Sequence, residues 1–223
     1  MDNPSLSDRF RTFVSGYPPR DALGDAWAEH RRYTAFAIGL FSLGIAIGAI
    51  LAVLGYNLLE LFAELTGEEI FPDFEETEIN ARFYITNNTL AFLVTMAGAA
   101  TLGVLTAFSM VFNGAIVGNI AVPAASIVGL DFLLIALLPH GIFELPSIFL
   151  AAAVGFRLVY RFGERIAGYR EAFLTKPYLY RTALLVIVAW LMLALAAVIE
   201  AHTTPALIDA LFAERVADLE PAP

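Results

Sequence analysis

The sequence predicts an all-α fold: a polytopic transmembrane helical bundle of about five crossings, with a broken or re-entrant segment and amphipathic helices at the interface. Three observations predict it. Of 223 residues 59% are hydrophobic and 16% charged, with a mean hydropathy of +0.72, an apolar share above that of an ordinary soluble domain. Uncharged runs recur near the ~20 residues that a hydrocarbon core of ~30 Å requires. The basic residues gather in two blocks, as loops retained on the cytoplasmic side do.

Taken in order, residues 1–32 form a cytoplasmic amphipathic segment with Leu6, Phe10, Phe13 and Tyr17 on one stripe among arginines. The first span is Tyr33 to Tyr56, which carries no charge. An acidic outer loop, residues 57–82, follows with Leu58, Leu61, Phe62 and Leu65 at helical spacing. The second span is Thr89 to Phe112 and the third Gly114 to Gly129, joined by a two-residue turn at Asn113-Gly114. An apolar stretch from Phe132 to Leu138 precedes the fourth span, Gly141 to Val159, and the fifth is Thr182 to Ile199. The bundle thus occupies residues 33–200, with a basic cytoplasmic segment at 157–181. Residues 201–223 form an acidic outer tail whose stripe is Leu207, Ile208, Leu211 and Phe212.

Five crossings with the N-terminus inside leave only Arg82 and Arg215 outside among the 13 basic residues, so a multi-pass protein of the cell membrane with its C-terminus outside is expected. Lys176 is the one lysine among them, and with a net charge of -9 this suits the proteome of a halophilic archaeon. The negative balance argues against a nucleic-acid partner, whose phosphates need cationic contacts. Cysteine is absent, so a metal would have to be held by His, Asp or Glu. No nucleotide-binding or hydrolase motif occurs, and neither a cofactor nor an enzymatic activity is expected. The partners expected are the bilayer, a second copy of the chain and other membrane proteins.

Polar groups inside apolar runs are costly in lipid and face the bundle interior. They are Asn87, Asn88, Asn113, Asn119, Asp131, His140 and Glu144. Asn87 and Asn88 stand where the second span would need a cap, and Asn119 needs a partner across the bundle. Pro139 and Gly141 predict a helix break around His140. His140 and Glu144, four apart, would then either satisfy the broken backbone or share a proton or a metal, with Asp131, Glu200 and His202 on the same side. Small residues mark close helix contact: Gly44 and Gly48, Gly98 and Gly103, Gly114 and Gly118. Such contact fits an internal packing or a homodimer seam.

The order Asn87-Asn88, a Gly-rich span, Asn113-Gly114-x-x-x-Gly118-Asn119, Pro139-His140-Gly141-x-x-Glu144 and Gly155-Phe156-Arg157 resembles the stage II sporulation protein M family of integral membrane proteins. The match covers about Arg82 to Arg161. The resemblance implies a helical membrane fold and a non-enzymatic part in envelope or membrane remodelling, since the family's namesake acts with cell-wall hydrolases at the engulfing septal membrane. The buried His/Glu pair supports an alternative, a proton- or ion-coupled transporter or channel.

Overall fold

The computed structural model describes residues 5, 12, 14–66 and 80–219. The described residues form α1 (Pro19–Val53), α2 (Leu58–Thr66), α3 (Ala81–Ala97), α4 (Val104–Val128), α5 (Leu130–Ile166), α6 (Lys176–Val198) and α7 (Thr204–Leu219), with a 3-10 turn at Gly98–Thr101 and a π-helical turn at Ile199–Thr203. Four helical stretches, Pro19–Val53, Val104–Val128, Leu130–Ile166 and Lys176–Arg215, are long and apolar enough to cross a membrane. Large apolar side chains such as Phe36, Ile50, Leu90, Phe108, Ile142 and Leu191 point outward, as helices solvated by lipid require.

Helix α1 starts at Pro19, well before the apolar run, because Pro is suited to the first helical position and Asp21 favours the first turn. At 35 residues it is ~52 Å long at 1.5 Å per residue. It is longer than the hydrocarbon core, so its first turns extend past the apolar zone. Thr175 opens α6 by accepting a hydrogen bond from the Tyr178 amide, with Pro177 in the first turn.

The turn expected at Asn113-Gly114 is not there. Both residues lie inside α4, and the chain instead reverses at Gly98–Gly103, where Leu102 and Gly103 adopt left-handed dihedrals at φ 54° and 84°. A Cβ on Gly98 would overlap Thr106, so this hairpin needs glycine both for its turn and for its close approach. The Thr106 hydroxyl donates to the Thr95 carbonyl at 2.9 Å, and the hydroxyls of Thr95 and Ser109 pair at 2.8 Å. The second expected span is therefore two helices. Its first part, α3, has 17 residues, the low end of what spans a bilayer.

Gly44 and Gly48 lie against Val111 and Ala115, and Gly114 and Gly118 against Phe41 and Ile45. Numbers rise together, so α1 and α4 run parallel, and a Cβ on any of the four would overlap the facing backbone. The expected small-residue seam is thus spent inside one chain. Helix α5 runs antiparallel to α1, with Phe41 on Phe149 and Phe36 on Phe156. Phe92 of α3 packs with Ala151 of α5 and with Ala189 and Leu193 of α6. Direction alternates through α1, α3, α4, α5 and α6.

The break expected at Pro139-His140-Gly141 is also absent, since α5 continues from Leu130 to Ile166 through Pro139 and Pro146. A proline removes one N–H, but packing along a 37-residue helix holds the rest. The irregular backbone falls elsewhere, at Gly98–Gly103 and in the π turn after α6. The tail folds back: Arg215 of α7 binds Asp131 through Nη1–Oδ1 at 2.9 Å and Nη2–Oδ2 at 3.1 Å and donates to the Val128 carbonyl. The stripe members Leu6, Phe10 and Phe13 and half of the acidic loop, Gly67 to Ile79, lie outside the described residues.

Candidate functional site

His140 and Glu144 stand one turn apart on α5, and the chain returns through α6 to bring Glu200 against them. One nitrogen of His140 and one oxygen of each carboxylate lie within 4.8 Å of one another. His140 is buried, at 9% exposure, and its Nδ1 has no hydrogen-bond partner among the described residues. Glu200 is carried by the π turn Ile199–Thr203, an irregularity frequent at functional sites because it re-aims side chains. Tyr84 of α3 lies within electrostatic reach of Glu200, so three helical segments converge here.

One imidazole and two carboxylates make a nitrogen and oxygen donor set suited to divalent transition metals and to protons. Two carboxylates so close repel one another when both are ionised, and a shared proton or bound cation relieves that repulsion. The low dielectric of the bundle strengthens both the repulsion and the relief.

The other polar residues take different places. Asn119 does not join His140. Its Nδ2 donates to the Tyr56 carbonyl at 2.9 Å and the Gly48 carbonyl at 3.3 Å, while its Oδ1 accepts from the Leu58 amide at 2.9 Å. It therefore satisfies the end of α1 and the start of α2, groups a helix leaves unpaired. Asn113 bonds back to the Ser109 carbonyl. Asn87 and Asn88 lie within α3, whose cap is Asn80, accepting from the Phe83 amide. Asn88 is buried, with Nδ2 unpaired among the described residues. Asp131 is engaged by Arg215, and His202 is exposed on the π turn that carries Glu200.

A second polar cluster, at the opposite end, was missed because its arginines were read only as topology signals. Glu29 Oε1 accepts from Arg157 Nε at 2.9 Å and Nη2 at 2.5 Å and from Arg161 Nη1 at 3.3 Å. Its Oε2 accepts from Arg181 Nε at 2.9 Å and Nη2 at 2.5 Å. Arg161 Nε donates to the Phe173 carbonyl, and its guanidinium lies 3.7 Å from the Tyr178 ring centre. The four-residue spacing of Arg157 and Arg161 on an Ala/Gly-rich helix was the available sign that both face inward.

Residues 35–205 match the family model described as stage II sporulation protein M. Over 168 residues the chain is 26% identical to an uncharacterized protein of Methanocaldococcus jannaschii, an alignment covering 74% of this chain and 90% of that relative. No solved structure matches the chain. The matched region runs from α1 to the start of α7 and contains the long apolar helices and the His140, Glu144 and Glu200 cluster. The chain is thus a helical membrane protein and belongs to the stage II sporulation protein M family.

Proposed function

We propose that this protein is a proton-coupled cation transporter, in which the cluster of His140, Glu144 and Glu200 takes a proton and a divalent cation in turn. The observation that carries the reading is the meeting of three ionisable ligands within 4.8 Å. Ionisable groups at membrane depth mark ion pathways because their cost is otherwise unrepaid. Glu200 completes the site: a pair on one helix could be structural, whereas a third ligand from another segment gives a donor set drawn from two elements. We further propose five crossings, counting α3 as the short second one, with the Arg-rich end in the cytoplasm. The test is flux in proteoliposomes with an imposed pH gradient: uptake of Mn²⁺ or Zn²⁺ with opposed proton movement is expected, abolished by Glu144→Gln. Flux equal to that of empty liposomes refutes transport.

A scaffold role in the envelope membrane is the second reading. It is favoured by the length of α1 and α5, 35 and 37 residues, whose ends are tied together by the Glu29 cluster into a rigid extension beyond the apolar zone. As a scaffold the protein would work through other membrane proteins or a second copy of itself. Loss of flux together with retained, specific crosslinks to envelope proteins would select it.

A further inference from the structure

Beside the Arg-rich end of the bundle lies an outward-facing groove of about 420 Å³ lined by Arg32, Tyr33, Phe36, Phe156, Val159 and Tyr160. Its floor is aromatic and half open: Phe36 is 54% and Tyr160 46% exposed. Arg32 sits at its rim, 4.7 Å from the ring centres of both Tyr33 and Tyr160. Arg157 packs against those same rings, at 5.9 and 5.3 Å. The groove and the Glu29 cluster therefore share a wall.

The charges of that cluster do not close. Arg157, Arg161 and Arg181 converge on the single carboxylate of Glu29. Glu164 is bound by Arg170 through two hydrogen bonds and makes a longer ion pair with Arg157 Nη1, at 3.7 Å. Among the described residues four arginines, Arg157, Arg161, Arg170 and Arg181, thus share the two carboxylates of Glu29 and Glu164, an excess of two positive charges. Arg157 and Arg161 are 7% and 1% exposed, and Arg157 Nη1 and Arg161 Nη2 have no hydrogen-bond partner among the described residues. Tyrosine rings attract a guanidinium through its charge, but they do not accept these in-plane N–H groups. A buried excess of positive charge is expensive, and a phosphate, anionic and rich in acceptors, is what an accessible guanidinium edge binds best.

We propose that this end of the bundle binds one anionic phospholipid. Its phosphate is held by exposed Arg32 at the rim, in the field of the excess charge that Arg157 carries behind the Tyr33 and Tyr160 wall, and an acyl chain lies along Phe36, Phe156 and Val159. A lipid is chosen over a soluble anion because the polar edge opens onto an apolar groove facing the hydrocarbon, so both parts of one amphiphile are matched.

The experiment is native mass spectrometry of the full chain released from mild detergent with equal phosphatidylglycerol and phosphatidylcholine, and a parallel arm with inorganic phosphate. One phosphatidylglycerol should be retained per chain, preferred at least about fivefold, the weight of one surface arginine near an anionic lipid. Arg32→Glu, on an exposed side chain that leaves the buried network intact, should erase most of that preference, and Arg157→Gln should do the same where it folds. Equal retention of both lipids, or an unchanged preference in Arg32→Glu, overturns the proposal. Displacement of the lipid by millimolar phosphate also overturns it, by assigning the site to a soluble anion.

Discussion

Glu29 and Arg181, 152 residues apart in the chain, are joined by two hydrogen bonds that converge on one carboxylate oxygen, from Nε at 2.9 Å and Nη2 at 2.5 Å. The other oxygen holds Arg157 and Arg161. One carboxylate thus ties α1, α5 and α6 together at the Arg-rich end. Replacing Glu29 by Ala leaves three clustered guanidinium groups without their anion, which should cost ~3–5 kcal/mol. Denaturation by increasing SDS in mixed micelles measures it; a loss below ~1 kcal/mol would show that the network does not hold the helices.

Two glycines separate the packing found from the packing expected. Gly48 faces the Ala115 backbone with no room for a Cβ, whereas no described residue lies within 4 Å of where a Cβ on Gly141 would stand. Gly48→Ala should force α1 and α4 apart and destabilise the monomer by ~1–3 kcal/mol or more. Gly141→Ala, in the interior of a continuous helix, should be neutral or stabilise by up to ~1 kcal/mol. A Gly141→Ala variant that unfolds would restore the helix break that α5 lacks.

Asn119 clips the α1–α2 junction through Tyr56 and Leu58. Asn119→Leu strands a backbone donor and a backbone acceptor, at ~1–3 kcal/mol for each that water cannot reach. Hydrogen exchange reads it locally: the Leu58 amide should exchange at least about tenfold faster. Unchanged protection would mean that the junction holds without the clip.

The helical membrane fold was legible because lipid imposes it: apolar length and arginine placement are written in composition. The reversal at Gly98–Gly103 was not, since Thr89 to Phe112 is uncharged throughout and Asn113-Gly114 carried a stronger turn signal than Leu102-Gly103. Pro139 and Gly141 misled for a related reason. Local propensity costs a few kcal/mol, and a long helix packed along its length outweighs it. His140 and Glu144 stood out as ionisable groups in an apolar run, but nothing local joins Glu200 to them, because their meeting depends on where α6 ends.

Topology is tested with single cysteines, which the Cys-free chain permits. Cysteines at Thr77 and Ala206 should be modified from outside by a membrane-impermeant maleimide, and those at Ser5 and Thr175 only after permeabilisation. The reverse pattern, or both termini on one side, would contradict five alternating crossings.

If His140, Glu144 and Glu200 form one cation site, metal and proton compete for it. That competition is tested most directly by calorimetric titration of the detergent-purified chain with Zn²⁺ in two buffers of different ionisation enthalpy, since a metal displacing a proton from its ligands shows a buffer-dependent heat. One site per chain with net proton release is predicted, lost in Glu144→Gln/Glu200→Gln. No saturable binding, or binding unchanged in that double variant, would mean that these three side chains hold no cation.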